Sequence, residues 1–558
     1  MTFGQHLDDV AARWPDTEAY VFKKTGSRIT FANIQEKARV QDKSPSRGSD
    51  RPPAYDRRVI LPAANRLAAG LKAIGTGRGD VVAWLTGHRE EWIYLYFAVA
   101  KLGAIALPLQ EPRVGRSVET MHYFLNKAGV KVLVMGDIPG VEQTDGTIPY
   151  LCKLFPEVKT AKRGMLQIER SPKLTSIIVL GDNTEGIGAY TLDEVQMMGN
   201  DEKLIAEVTT LQNQLSCHDT FLLGFSSGST GLPKCAELST YGLYNATRMA
   251  TRILTVLRIP SEGSSLYPYL SSPYAVSFPL FLPGFRFVIP VSTSPSSVEI
   301  MKTVQEERCL AIWLFVKDFH DLLHDPHLGD YDLSSLRGVN IGGNVLSTSL
   351  LDRATEVLPK AKVMVSYAMT EFLGVASTIA DVVGEGKGAT VGKLAPHVEM
   401  QLVDKDGRVV PLGQEGEVCV RGFSMFKRYR GDEEKTAKAM TADGWYKTGD
   451  LGVLDEQGVL KLYGRISDMI IRNAYNVHPS VVEAPLAKHP KVQDVRVVSV
   501  PDPASVEEIC ACIILKEGQS ADSDEMKTFC VEIGMVPTDM PGYFIFLDTF
   551  PVTSTLQK

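Results

Sequence analysis

The sequence predicts an α/β fold: a large N-terminal domain of layered α/β subdomains with a small antiparallel β region, followed by a small α+β C-terminal domain. Ahead of Gln401, amphipathic helical stretches alternate with short β-branched runs, which is typical of parallel sheets covered by helices. From Gln401 onward, short alternating strands are separated by turn residues, which indicates antiparallel pairing.

The predicted elements follow one another in a simple order. The first helix lies within MTFGQHLDDVAARWPDTEA, and the polar, proline-containing segment from Arg39 to Val59 is predicted to be an exposed loop. The next helical pattern is NRLAAGLKAIG, and the β-branched runs are DVVAWLTG, VKVLVMG, SIIVLG and RFVIPV. The antiparallel strands are MQLVDKDGRVVP, GEVCVRG and GVLKLYGR.

A compact α+β unit is predicted at the C-terminal end of the chain. It contains MIIR, the helix SVVEAPLAKH ended by Pro490, VRVVSV and EICACIILKE. The change of pattern places a domain boundary near Gly464 to Asp468. We therefore expect a large domain of residues 1–464 and a small domain of residues 465–558.

Charge and cysteine usage narrow the class of protein. The chain has 558 residues, 44% of them hydrophobic, and a formal net charge of −7 with basic residues scattered along it. A general nucleic-acid binder needs a concentrated basic surface, so nucleic acid is not an expected partner. The eight cysteines lie partly inside apolar runs, as buried reduced thiols do in intracellular proteins. Cys510 and Cys512 share one face of a strand, and we interpret them as packing residues rather than zinc ligands.

The sequence favours a cytoplasmic protein without an integral membrane segment. Its N-terminal stretch lacks the basic-then-apolar pattern of a signal peptide. The longest apolar run, Trp92 to Leu109, is interrupted by Lys101 and Gly103, which favours a buried helix and a strand over a membrane span. The final LQK differs from the peroxisomal SKL signal, and a peroxisomal location stays open as an alternative.

The stretch FSSGSTGLPKC, from Phe225 to Cys235, has the composition of a phosphate-binding loop. Exposed backbone N–H groups and short hydroxyls can surround phosphate oxygens while a lysine neutralises charge. In a Walker A loop, the lysine follows glycine and precedes Ser or Thr. Lys234 instead follows Pro233, so this stretch is not a Walker A loop. On composition alone, an ordinary surface turn is an equal alternative.

The stretch FHDLLHDPH places three histidines at helical spacing. His320, His324 and His327 could present imidazoles to a zinc ion. Pro326 would end the helix before the third histidine, so we favour an exposed helix end over a metal site.

Further stretches follow the glycine-rich loop in a fixed order: YAMTE, YKTGDLG, GRISDMIIRNAYNVHP and PVTSTLQK. Together they resemble the adenylate-forming (ANL) superfamily of acyl-CoA synthetases, peptide-synthetase adenylation domains and luciferases, over essentially the whole chain. The order of five motifs makes this resemblance specific, although each motif alone is weak. Within the superfamily, DMIIR, YNVHP, HPKVQDVRVVSV and EEICACIILKEG are most similar to the medium-chain acyl-CoA synthetase group that includes family member 2.

The resemblance implies an ATP- and Mg²⁺-dependent acid–thiol ligase. Such an enzyme activates a medium-chain or related lipophilic carboxylic acid and transfers it to coenzyme A, which gives acyl-CoA, AMP and pyrophosphate. The small C-terminal domain is then mobile and pivots near Ser467 and Asp468. A stand-alone adenylating enzyme that loads a carrier protein, a luciferase-like oxygenase and a catalytically impaired nucleotide- or acyl-binding homologue remain alternatives.

The resemblance also implies roles for individual residues. Thr370 contacts the α-phosphate as a catalytic residue, and Glu371 is a catalytic residue that holds Mg²⁺. The glycine-rich loop clasps the β- and γ-phosphates, Tyr367 and the Gly-Gly pair approach adenine, and Asp450 accepts hydrogen bonds from the ribose hydroxyls. The residues implied for ATP and AMP binding are Ser226, Ser227, Gly228, Ser229, Thr230, Gly231, Lys234, Gly342, Gly343, Tyr367, Asp450 and Arg465.

Two positions with a chemical role in the family carry a different residue in this sequence. Ala474 stands where relatives have a glycine that lines the thiol channel, so its methyl group would narrow the channel for coenzyme A. Ungapped counting puts Gln557 at the position of the catalytic lysine. Lys558 is therefore our candidate for that lysine, and the alternative is that the lysine is missing.

Overall fold

The computed structural model describes most of the chain. The described residues are 1–35, 63–109, 118–136, 146–181, 184–228, 231–257, 259, 264–267, 284–292, 295–342, 346, 348–377, 390–472, 475–502 and 506–550. The predicted exposed loop from Arg39 to Val59 lies outside these residues.

Helices occur throughout the described part of the chain. They are α1 (Phe3–Arg13), α2 (Phe31–Gln35), α3 (Ala63–Ala73), α4 (Glu91–Leu102), α5 (Val118–Ala128), α6 (Thr147–Leu154), α7 (Leu192–Met198), α8 (Glu202–Gln212), α9 (Thr240–Val256), α10 (Ser297–Glu307), α11 (Val316–His324), α12 (Thr348–Val357), α13 (Glu433–Ala439), α14 (Pro479–Leu486) and α15 (Ser523–Glu532). Short 3₁₀ turns are Pro156–Lys159, Leu328–Asp330 and Ile466–Asp468.

The strands are numbered in chain order. They are β1 (Glu18–Phe22), β2 (Arg28–Thr30), β3 (Val81–Thr86), β4 (Ile105–Pro108), β5 (Val130–Gly136), β6 (Ser176–Val179), β7 (Tyr190–Thr191), β8 (Thr220–Gly228), β9 (Gly231–Ser239), β10 (Ser264–Tyr267), β11 (Phe285–Ile289), β12 (Cys309–Phe315), β13 (Gly338–Gly342), β14 (Lys362–Met369), β15 (Phe372–Ser377), β16 (Thr390–Leu394), β17 (Val398–Val403), β18 (Glu415–Gly422), β19 (Arg428–Tyr429), β20 (Tyr446–Leu454), β21 (Val459–Arg465), β22 (Ile470–Arg472), β23 (Tyr475–Val477), β24 (Val492–Asp502), β25 (Val506–Leu515) and β26 (Tyr543–Phe546).

The largest sheet joins the parallel and the antiparallel parts of the chain. Among the described residues it has thirteen strands, in the order β17-β18-β20-β21-β16-β15-β14-β13-β12-β10-β11-β1-β2. The strands from β14 to β1 pair in parallel, whereas β15 to β18, β20 and β21 pair antiparallel. The antiparallel strands predicted after Gln401 are thus confirmed, and they extend the large sheet rather than form a sheet of their own.

The second sheet runs β19-β9-β8-β4-β3-β5-β6-β7 in the described part of the chain. Its strands β4, β3, β5 and β6 are parallel, as the β-branched runs predict. The apolar run that starts at Trp92 is confirmed as a helix and a strand, because α4 is buried over most of its length and β4 follows it. Gly103 ends α4 with φ +64°, a left-handed conformation that glycine adopts without strain.

A third sheet contains the strands of the C-terminal unit. In the described residues its order is β23-β22-β25-β24, with β26 paired to β25. Helices α14 and α15 cover one face, where Ile470, Val482, Ile509 and Met526 form a core with their neighbours. The predicted α+β unit therefore has its own sheet and its own core.

Local structure describes the histidine and cysteine patterns that the sequence raised. Helix α11 ends at His324, so the third histidine of FHDLLHDPH lies beyond the helix as Pro326 predicts. The eight cysteines are free thiols. In the ranges the structure describes, no group of three or more metal-ligating side chains is found. No helix within those ranges has both the length and the hydropathy of a membrane span.

Candidate active site

The glycine-rich stretch forms a β-hairpin rather than an irregular loop. Strands β8 and β9 pair antiparallel, with Ser226 opposite Lys234 and Gly228 opposite Gly231. Ser227 lies on β8 between the two paired positions. Ser226 and Lys234 are therefore held on paired strands, and residues 229–230 lie outside the described residues.

The predicted acid lies in a tight turn that faces this hairpin. Thr370 and Glu371 connect β14 to β15, whose flanking residues Met369 and Phe372 pair across the turn. The hydroxyl of Ser226 donates a hydrogen bond of 2.6 Å to Oε1 of Glu371, although the two residues are 145 positions apart. Folding thus brings the first motif and the second into direct contact.

The same turn lies close to the backbone of β8. A Cβ atom added at Gly224 would be 2.7 Å from Cγ2 of Thr370, which is closer than packed atoms approach. Glycine at this position therefore permits Thr370 to lie against the hairpin strand.

Tyr429 holds the acid from the other side. Its hydroxyl donates a hydrogen bond of 2.8 Å to Oε1 of Glu371. Burial, reinforced by the charge of Glu371, raises the pKa of the Tyr429 phenol, so it remains a neutral donor. Strand β19 places this ring beside β9, where the ammonium of Lys234 lies 5.0 Å from the ring centroid in a cation–π contact. Lysine, tyrosine and glutamate are thus fixed relative to one another.

The surroundings of Glu371 fit a divalent cation. The side chain is only 6% exposed. In the described part of the chain, both of its side-chain partners are neutral hydroxyls, and both bond to Oε1. A buried carboxylate is normally paired with a cation or bound to a metal, and carboxylate and phosphate oxygens are the ligands that Mg²⁺ prefers. The residues present therefore fit a Mg²⁺ ion held by Glu371 and by phosphate.

A second cluster centres on Asp450. Strands β20 and β21 pair so that Asp450 is directly opposite Arg465. The guanidinium Nε lies 3.0 Å from Oδ1 of Asp450, and Nη1 of Arg465 donates 2.6 Å to the carbonyl of Thr448. The hydroxyl of Tyr367 donates to Oδ2. Cross-strand register therefore brings Asp450 and Arg465 together, and a side-chain hydrogen bond adds Tyr367.

The electrostatics of this cluster favour a ligand that donates hydrogen bonds. Burial raises the pKa of the Asp450 carboxyl above its ordinary value, while Arg465 and Tyr367 act in the opposite direction. A carboxylate has about four lone-pair sites. The contacts of Arg465 with Oδ1 and of Tyr367 with Oδ2 therefore still leave acceptor sites for hydroxyl groups.

The two clusters belong to one site. Tyr367 and Glu371 lie on the same hairpin, β14 and β15 with their turn. Tyr446 connects the two clusters. Its hydroxyl is hydrogen-bonded to Tyr429, and it also interacts electrostatically with Arg465. The guanidinium of Arg465 also lies within electrostatic range of Glu371. Gly342, at the carboxyl end of β13, is next to β14 opposite Ser366.

Several predicted residues cannot be placed relative to these clusters. They lie outside the described residues, and their roles stay predictions: Ser229, Thr230, Gly343, Ala474 and Lys558.

The structure adds residues that sequence reasoning missed. Tyr429 carries no motif signal, because its role arises from the pairing of β19 with β9. Glu237 is buried, and Arg428 and Arg430 each contact its carboxylate at 3.2 Å, which ties β19 to β9. Thr448 lies within the TGD motif, and its hydroxyl accepts a 3.0 Å hydrogen bond from the backbone N–H of Asp450.

Removing the Tyr429 hydroxyl tests its positioning role. We expect Tyr429→Phe to lower the rate of ATP–pyrophosphate exchange about tenfold, because a hydrogen bond to a charged group is lost while the ring under Lys234 remains. Exchange should be measured with saturating ATP and carboxylic acid. Tyr463→Phe is the control, since that ring stacks on His478 away from Glu371. Equal effects of the two changes would contradict the role of Tyr429.

Comparison with known protein families shows which family the chain belongs to. Residues 60–430 match the family model described as AMP-binding enzyme, and residues 481–556 match the model described as AMP-binding enzyme C-terminal domain. The chain belongs to the AMP-binding enzyme family. The predicted membership and the prediction of an adenylate-forming enzyme are thereby confirmed.

Curated AMP-binding enzymes match the chain over nearly its whole length. Medium-chain acyl-CoA ligase ACSF2, mitochondrial, from Bos taurus is 32% identical over 563 residues, which cover 99% of this chain and 85% of that protein. Putative acyl-CoA synthetase YngI from Bacillus subtilis (strain 168) is 30% identical over 568 residues, which cover 100% of this chain and 96% of that protein.

Solved structures of AMP-binding enzymes share the fold. The anthranilate CoA ligase AuaEII in complex with anthranoyl-AMP has a TM-score of 0.79 at 21% identity, covering 100% of this chain and 95% of that one. The amide bond synthetase McbA from Marinactinospora thermotolerans has a TM-score of 0.76 at 22% identity, covering 100% and 97%. The predicted fold class is therefore confirmed.

Proposed function

We propose that the chain activates a carboxylic acid with ATP and transfers the acyl group to coenzyme A. The products are acyl-CoA, AMP and pyrophosphate. Family membership supports the adenylation step, and relatives named as acyl-CoA ligases at about 30% identity support the thiol acceptor.

One observation carries the proposal: the hydrogen bond from Ser226 to Glu371. It joins a hairpin suited to phosphate with a buried carboxylate suited to Mg²⁺. The cluster of Asp450, Arg465 and Tyr367 lies nearby, because the guanidinium of Arg465 is within electrostatic range of Glu371. A nucleotide with its ribose at Asp450 and its phosphates at Ser226 and Lys234 would use both clusters.

The first step overcomes the low reactivity of a carboxylate. A carboxylate oxygen attacks the α-phosphorus of ATP, the bond to the bridging oxygen breaks, and pyrophosphate leaves with its electron pair. Lys234 and the hairpin hydroxyls stabilise the charge on the leaving group, because fixed donors and a cation need no reorganisation during reaction. Mg²⁺ held by Glu371 would neutralise phosphate charge.

The second step uses AMP as the leaving group. The sulfur of coenzyme A attacks the acyl carbon of the acyl-adenylate, the thiol loses its proton, and AMP departs. We propose that the domain of residues 465–558 moves relative to residues 1–464 between the steps, as small lids and domains do in many enzymes. Ala474 would then border the thiol channel.

The acid that we propose is a medium-chain fatty acid or a related lipophilic acid. The support is the name of the ACSF2 relatives, whose identity to this chain reaches 32%. Those relatives are named as mitochondrial, so the cytoplasmic location stays a prediction.

The assay that tests the proposal is a screen of carboxylic acids of graded chain length. AMP release should be measured with each acid, with and without coenzyme A, and acyl-CoA should be identified by mass spectrometry. We expect AMP release and acyl-CoA formation to require both substrates and to be greatest at medium length. AMP release without acyl-CoA, for every acid, would contradict the thiol-transfer half of the proposal.

Lys558 has a proposed role in the adenylation step. If its ammonium bridges the carboxylate and the α-phosphate, Lys558→Ala should lower ATP–pyrophosphate exchange by about 10² to 10³, as loss of one preorganised cation does. Transfer of a preformed acyl-adenylate to coenzyme A should change less. Lys527→Ala, on α15, is the control. Unchanged exchange in Lys558→Ala would show that another residue, or none, supplies this charge.

A further inference from the structure

A cavity of about 760 Å³ lies at the opposite end of the large sheet from the candidate active site. It is bordered by the end of α11, by the 3₁₀ turn that follows, and by the segment between α12 and β14. These segments lead into the amino ends of β13 and β14, whereas Gly342 and Thr370 lie at the carboxyl ends. At about 3.3 Å per residue, β14 separates the two places by on the order of 20 Å.

The floor of the cavity is apolar. Leu333, Leu336 and Leu358 are buried beneath it, and Leu328 and Val357 are half-buried at its sides. A volume of this size is within the usual range of ligand pockets, which combine mostly apolar walls with a few polar groups. The floor therefore suits a hydrocarbon chain.

The rim of the cavity carries two cations. Arg353 and Lys360 line it, beside the imidazole of His324. Arg353 Nη1 is 3.3 Å from Glu356, whose side chain is 70% exposed, so this pair is weakly held. Among the described residues, the ammonium of Lys360 has no hydrogen-bond or ion-pair partner, although the exposed carboxylate of Asp332 lies within its electrostatic range. An ammonium without a close partner, next to an apolar floor, suits the carboxylate end of a lipophilic acid.

The surroundings of His324 agree with a positive potential at the rim. His324 Nδ1 donates 2.8 Å to the carbonyl of His320, which fixes the imidazole in place. Burial lowers the pKa of His324, and the neighbouring Arg353 and Lys516 add to the shift because they repel a protonated ring. One acidic residue, Asp325, also lines the cavity. Both of its carboxylate oxygens accept hydrogen bonds, Oδ2 from the hydroxyl of Ser297 and Oδ1 from the backbone N–H of residue 327.

We propose that this cavity binds a lipophilic monocarboxylate, with the hydrocarbon chain on the leucine floor and the carboxylate at Lys360 and Arg353. The site is distinct from the place where an acid would be activated, because it lies at the other end of β13 and β14. The inference rests on the cavity itself and holds whether or not the chain is an acyl-CoA ligase.

Photoaffinity labelling of the full chain tests this site. The probe is a diazirine analogue of decanoate, and labelled peptides are mapped by mass spectrometry. We expect labelling within residues 324–336 or 357–361, and we expect decanoate to suppress it while decanol at the same concentration does not. Peptide mapping separates label in this cavity from label near Glu371. Absence of label in the cavity peptides therefore leaves the proposed ligase activity untouched.

Charge reversal at the rim provides the matched comparison. Lys360→Glu should lower labelling of the cavity peptides about fivefold, the effect of a partly exposed ion pair. Lys362→Glu makes the same change at an exposed position that does not line the cavity, and should leave labelling unchanged. No label in the cavity peptides, equal competition by decanol, or equal labelling of the two variants would overturn the proposal.

Discussion

Glu371→Gln will lower the rate of acid-dependent ATP–pyrophosphate exchange by about 10² to 10³. The glutamine carbonyl can still accept the hydrogen bonds from Ser226 and Tyr429, so the turn keeps its shape. The negative charge is lost, and with it the ligand that the buried site offers to Mg²⁺. Exchange should be measured over a range of Mg²⁺ concentrations, because weaker metal binding predicts partial recovery at high Mg²⁺.

The control for this change is Glu434→Gln. Glu434 is an exposed residue of α13 that pairs with Lys438 on the surface. It should have wild-type exchange and a wild-type melting temperature. If Glu371→Gln melts as the wild type does and exchanges at the same rate, Glu371 does not hold the metal.

Asp450→Ala will weaken ATP binding by about 10², because two charge-assisted hydrogen bonds to the ribose are lost. Calorimetric titration of ATP in the absence of acid measures this directly. The change also leaves Arg465 without the partner that lies 3.0 Å away. Asp450→Asn should therefore be measured as well, since it keeps the shape of the side chain.

Two comparisons separate binding from stability in this prediction. Asp406→Ala removes a carboxylate that is 53% exposed in a surface turn, and should bind ATP as the wild type does. Tyr367→Phe removes only the hydroxyl that contacts Oδ2 of Asp450. Equal ATP affinity in wild type, Asp450→Asn and Asp450→Ala would exclude a ribose role for Asp450.

The fold was predictable where local patterns decide it. The β-branched run DVVAWLTG is a parallel strand with neighbours on both sides, and the interrupted apolar run from Trp92 is a helix followed by a strand. The order of strands within each sheet was not predictable. That β20 and β21 extend the sheet of β13 and β14 depends on pairing between distant segments, which a local pattern does not encode.

The candidate site was likewise predictable in its residues but not in their contacts. The motifs supplied Ser226, Glu371, Asp450 and Arg465 as separate positions, each with a role implied by resemblance. Their contacts arise from register: Asp450 faces Arg465 because β20 and β21 pair in that alignment. Tyr429 was missed for this reason, because its contact with Glu371 follows from the alignment of β19 with β9.

The backbone of the glycine-rich stretch differs from the prediction. Its glycines and hydroxyls are also typical of turns, and we expected a loop or a surface turn. Instead, β8 and β9 continue to Gly228 and from Gly231, so much of the stretch is a paired hairpin. Phosphate binding stays a prediction from the residue types, whereas the backbone conformation depended on pairing with β4 and β19 on either side.

The central claim is that this site forms an acyl-adenylate from ATP and a carboxylic acid. The most direct measurement is the exchange of labelled pyrophosphate into ATP by the wild-type chain, with Mg²⁺ and without coenzyme A, in the presence and absence of decanoate. We expect exchange that requires the acid and is abolished by chelating Mg²⁺. Binding of ATP with no exchange, for decanoate and for acids of every other chain length, would contradict it.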